Sequence, residues 1–97
     1  MSTQVQSVFK MAAQELRLFP EELLKQGTHT LLERQLREVK TEIFRITGSY
    51  DVAGVKEMED RYRAGTLEEA DSWQDLQRLD HLEYKRDRLL ALLETLS

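Results

Sequence analysis

An all-α chain is what this sequence predicts, and three observations predict it. Charged residues make up 33% of the 97, beside one proline and four glycines, which suits long solvated helices better than a compact β fold. Leu32, Leu36, Val39, Ile43, Ile46 and Tyr50 recur at alternating spacings of four and three, which is a heptad seam. Leu76, Leu79, Leu82, Leu89, Leu93 and Leu96 form a second apolar face near the C-terminus. Two amphipathic helices of similar length read as a long antiparallel, coiled-coil-like hairpin.

The first element is expected over Ser7–Leu18, where Val8, Met11, Ala12, Glu15 and Leu16 follow helical spacing and Ser7 can cap the start. Ahead of it, Ser2–Gln6 is the only candidate for a very short N-terminal strand. Phe19-Pro20 then punctuates, because proline restricts the residue before it and suits the first turn of a new helix. Glu21 and Glu22 follow at that N-terminus, where the helix dipole favours acids. The second helix is expected to run from Pro20 to about Thr47 and to span about 42 Å at ~1.5 Å per residue. Gly48-Ser49 is expected to break it. A short amphipathic helix with Val52, Val55, Met58 and Tyr62 on one face comes next, and Gly65 is well placed to terminate it. Thr66 to Glu69 and Ser72 to Asp75 both have capping-box spacing. The last helix is expected over Ser72–Leu96, with Arg86 where its apolar face calls for a hydrophobe. The chain is read as a single domain, residues 1–31 forming an N-terminal dimerisation segment and 32–97 the helical hairpin.

Composition closes off several classes of function. The absence of cysteine excludes disulfides, thiolate catalysis and cysteine-based zinc sites. His29 and His81, the only histidines, lie on different helices without a preceding Glu-x-x-His pair, so no metal site is expected. No Ser/His/Asp triad, glycine-rich phosphate loop or nucleotide motif is present, and no cofactor is expected. A small helical mutase of the chorismate mutase type would need inward arginines, yet only Arg86 falls on a core position, and an arginine there more often snorkels or pairs with a carboxylate on the facing helix. The protein is therefore read as not an enzyme. The start is polar, with no apolar leader, and no apolar run approaches the ~20 residues of a membrane span. A soluble, cytoplasmic protein with no membrane contact is expected.

Net charge is −4, and all of it falls beyond residue 34, since residues 1–34 hold four basic and four acidic side chains. Nothing resembles the basic face by which nucleic-acid binders release counterions. The expected interactions are with proteins. Leu23, Leu24, Gly27, Leu31 and Leu32 form a broad apolar surface on the second helix, read as an oligomer interface because one hairpin cannot cover so long a helix. Gly27, costly inside a helix, reads equally as a tolerated bend or as a close crossing point. Tyr50, Tyr62 and Trp73, with the acidic run Glu68, Glu69 and Asp71, form the candidate partner-binding surface. Trp73 itself is weighed between an interface anchor and the plug of the hairpin, with the balance toward plug.

Two stretches carry a family resemblance. Gln14-Glu15-Leu16-Arg17-Leu18-Phe19-Pro20-Glu21-Glu22-Leu23-Leu24 resembles the helix–turn–helix part of ribbon-helix-helix antitoxins. Tyr50-Asp51-Val52, Val55-Lys56-Glu57-Met58-Glu59, Arg63-Ala64-Gly65-Thr66 and Asp71-Ser72-Trp73 resemble the helical, toxin-embracing tail of such small prokaryotic antitoxin-like proteins. The resemblance implies a dimer that neutralises a partner protein through its hairpin. It also implies DNA readout by a paired N-terminal strand, for which Gln4 and Gln6 would share one face and could pair with adenine. That ribbon is very short and lacks a basic residue, which counts against DNA binding. The alternative is a structural coiled-coil adaptor or self-assembling helical protein without a toxin.

Overall fold

The computed structural model describes residues 2–67 and 72–97. It contains four helices, α1 (Thr3–Leu16), α2 (Pro20–Tyr50), α3 (Val55–Arg63) and α4 (Ser72–Leu96), and no strand among the described residues. The all-α expectation holds, and so does the start of α2 at Pro20 and the whole extent of α4.

Two boundaries differ from expectation. Residues 3–6 are helical, so the N-terminal strand does not exist. Ser2, not Ser7, caps α1, its Oγ accepting from the Val5 N–H at 3.2 Å, and Val5 extends the apolar repeat of Val8, Phe9, Ala12 and Leu16 by one turn. Capping satisfies one donor that a two-residue-alternating strand without a partner would leave unmet. At the other end, Gly48 and Ser49 do not break α2. The Ser49 hydroxyl donates to the Arg45 carbonyl at 2.9 Å, and the helix continues until the Tyr50 ring is seated in the core. It stops at Asp51, in the left-handed conformation (φ 52°), where Arg61 Nη1 reaches back to the Tyr50 carbonyl at 2.6 Å.

The core lies between α2 and α4, with α3 closing one end. Leu36, Val39, Ile46 and Tyr50 from α2 meet Leu76, Leu79, Leu82 and Leu89 from α4, and Met58 of α3 is fully buried among them. Both predicted seams are thus the faces that pack. Arg86, on the α4 seam, is half-buried and pairs with its neighbour Asp87 at 3.0 Å rather than with a facing helix. At the end of α3, Gly65 (φ 72°) turns the chain, with the Gly65 and Thr66 N–H groups on the Tyr62 and Arg61 carbonyls.

The start of α3 is held from outside. Gly54 has no side chain to cap it, so the Glu83 carboxylate on α4 accepts from the Val55 N–H at 2.9 Å. A Cβ on Gly54 would come within 3.0 Å of that same oxygen. The Glu57 carboxylate completes the turn by accepting from the Ala53 N–H at 2.8 Å.

The molecule is a rod of 59 × 25 × 18 Å with a Cα radius of gyration of 19.4 Å, against about 13 Å for a compact chain of this length. α2 carries no buried residue before Leu36, and α1, which lies on that end, buries only Ala13.

Candidate functional site

The sequence-predicted residues fall into two places at opposite ends of the rod. At the N-terminal end, α1 folds back along the start of α2 through a tight turn at Arg17, itself left-handed (φ 55°), whose N–H and that of Leu18 cap the end of α1. Between the two helices runs a groove. Val8, Phe9 and Ala12 form one wall, Leu23, Leu24 and Leu31 the other, and Gly27 and Thr28 lie along its floor; none of the eight carries a charge. Leu24 and Leu31 are exposed, Leu23 is half-buried, and a Cβ on Gly27 would meet nothing within 4 Å. Leu32 does not join them: it packs against the α2–α4 core, because one further residue rotates it ~100° toward α4.

At the other end, Tyr62 of α3 and Trp73 of α4 stack with ring centroids 5.4 Å apart and planes tilted by 42°. They stand 41% and 50% exposed and form, with Val55 and Leu76, an apolar groove edged by Glu59, Arg63, Gln77 and Asp80. Glu59 is held by Arg63, whereas Asp80 makes no ion pair among the described residues. Trp73 is therefore half plug and half surface: its ring contacts Tyr62, and half of its surface remains exposed.

Tyr50 belongs to neither groove. It is 7% exposed, and its hydroxyl donates to Asp75 Oδ2 at 2.5 Å, fixing the end of α2 to the first turn of α4. Its side chain lies in the core and not on the surface that Tyr62 and Trp73 share. Glu68, Glu69 and Asp71 lie outside the described residues. Gln4 and Gln6 are exposed on α1, and two residues on a helix point ~200° apart, so they share no face from which a groove of DNA could be read.

Sequence reasoning missed Phe44, the most exposed large apolar side chain among the described residues at 79%, flanked along α2 by Arg37, Lys40 and Thr41. Its signal was its place one residue after the seam position Ile43. On the opposite side of α2, Glu42 accepts from Arg45 Nη2 at 2.8 Å and from Arg78 Nε of α4 at 3.1 Å. These hydrogen bonds, Arg45 first and Arg78 second, hold the Glu42 carboxyl below its ordinary range. The cluster is exposed and charge-compensated, a clamp between helices and not an acid–base pair. Among the described residues no three His, Cys, Asp or Glu side chains gather to share a metal ion, and no helix is long and apolar enough to cross a membrane.

A family model described as "Uncharacterized protein MJ0235 family" matches residues 1–97. No curated protein and no solved structure matches the chain.

Proposed function

The chain belongs to that family, and from its own surfaces we propose that it is a non-enzymatic protein-binding protein, self-associating through the N-terminal helix pair and holding a second protein at the hairpin's other end. The observation that carries this reading is the uncharged apolar groove between α1 and α2, left open at the end of a long rod. Contiguous apolar surface of this kind marks interaction sites on folded proteins. Glu42 and Arg45, whose pKa values are displaced, sit in an ion-pair cluster on the surface between helices rather than in a cleft, which supports a structural role for that cluster.

The narrower form of the proposal is an antitoxin-like protein that neutralises a basic toxin. It draws support from the half-exposed Tyr62–Trp73 pair, an aromatic anchor bordered by Asp80, which makes no ion pair among the described residues. Multi-angle light scattering at micromolar concentration tests the broader reading. A mass of two or more 11.4 kDa chains is expected. A monodisperse single-chain mass overturns self-association.

A further inference from the structure

The geometry points to a second copy of this chain as the occupant of the α1–α2 groove, the two N-terminal hairpins crossing at Gly27 to form an antiparallel four-helix bundle about a twofold axis. This inference rests on the self-association reading above and adds where and how the copies meet.

Four features select a second copy. The first is charge. Residues 1–34 carry four basic and four acidic side chains, so two copies meet there without net repulsion, whereas the rest of each chain carries the −4 and would repel its like. The second is area. Val5, Val8, Leu16, Phe19, Leu24 and Leu31 are between 48% and 76% exposed. At roughly 100 Å² apiece, with the half-buried groove residues, they approach the ~800 Å² per partner of a standard interface.

The third is Gly27. A glycine inside a helix is costly relative to alanine, and nothing in the chain itself occupies the place of its missing Cβ. A helix crossing from a second copy does, and a glycine at the crossing lets two backbones approach closely. The fourth is topology. A pair of antiparallel helices with one open apolar groove is half of a four-helix bundle, and two such halves related by a twofold axis bury both grooves at once.

The chain has no cysteine, so a single introduced thiol reports contact between copies without background. Gly27→Cys, mildly oxidised, is expected to form a disulfide-linked dimer, since that bond requires Cα atoms within about 7 Å. Leu24→Asp and Leu31→Asp are expected to raise the dimer dissociation constant about tenfold or more while leaving helicity by circular dichroism unchanged, because both side chains are exposed in the single chain. Leu92→Asp, 50% exposed on α4, serves as control and is expected to leave the dimer intact. A dimer that survives both substitutions in the groove overturns this placement while self-association stands. Dissociation by the groove substitutions without a Gly27→Cys cross-link overturns the crossing at Gly27. Equal dissociation by Leu92→Asp moves the interface to α4 and also overturns it. A wild-type chain of single-chain mass removes self-association itself.

Discussion

At the scale of single residues, the aromatic side chains divide by what their polar ends find. Tyr50 is buried because its hydroxyl reaches Asp75 at 2.5 Å, so the ring can leave water without orphaning a donor. Tyr62 and Trp73 meet each other ring to ring, and remain half in solvent. Truncating Trp73 therefore removes one tilted aromatic contact and part of a groove wall. Trp73→Ala is expected to cost about 1 kcal/mol, in line with the ~0.5–1.5 of an aromatic pair, and well short of the ~3–5 kcal/mol for emptying a buried aromatic site. A thermal melt of the variant measures it, and a loss in the upper range would make Trp73 the hairpin's plug. Asp51 and Arg17 illustrate a second residue-scale rule. Both hold left-handed backbone without being glycine, and in each the backbone N–H groups around the turn find helical carbonyls that offset the strain.

At the scale of elements, α2 and α4 are held by a dry seam, by the Tyr50–Asp75 hydrogen bond and by a wet clamp, and the seam and the clamp respond to different perturbations. Leu36 and Ile43 lie on the seam, the first buried and the second packed against the core, while Glu38 and Lys40 are exposed. Leu36→Asp and Ile43→Asp place an unpaired charge against leucines, expected to cost several kcal/mol, whereas Glu38→Ala and Lys40→Ala are expected to stay within about 1 kcal/mol. Denaturant midpoints of the four variants check the separation. The clamp is the Glu42 cluster. Its carboxyl titrates below the ordinary range in the folded chain, held there by Arg45 and Arg78. The unfolded state therefore takes up the proton first, and the stabilisation is present above the ordinary glutamate range near ~4.3 and lost as pH falls through the lower folded value. Because Glu42 is only half-buried and both of its arginine partners are exposed, the effect is small and screened by salt. Thermal midpoints of wild type and Glu42→Gln should accordingly differ at neutral pH and converge in acid.

At the scale of the whole molecule, the rod shape follows from unequal helix lengths. α2 has 31 residues and α4 has 25, so an antiparallel pairing anchored at Tyr50 and Asp75 leaves the first turns of α2 beyond the end of α4. α1, with 14 residues, is long enough to run beside that overhang, but the small side chains of Ala12 and Ala13 that it turns toward α2 do not enclose it. The exposed apolar surface at that end is a consequence of length, and its burial needs a further helical layer. A chain of this size hides a modest share of its surface on its own, so an added layer also bears on stability.

By itself the sequence determined the helical class, both seams, the start of α2, the extent of α4 and the turn at Gly65. Each of these rests on a local pattern: apolar residues every three or four positions, proline at a first turn, or glycine at positive φ. It also marked Leu23, Leu24, Gly27 and Leu31 as one apolar surface, since all four belong to a single helix. Only the tertiary structure decided the rest. Gly48-Ser49 stays helical because burying Tyr50 against Asp75, with Arg61 on its carbonyl, outweighs local propensity. Leu32 turns to the core because α4 ends beside it, and Tyr50 leaves the surface that Tyr62 and Trp73 still share. Glu83 caps α3 from 28 residues away, a contact that no spacing along the chain announces. Periodicity tells which side of a helix is apolar, and only packing tells which part of that side finds a cover.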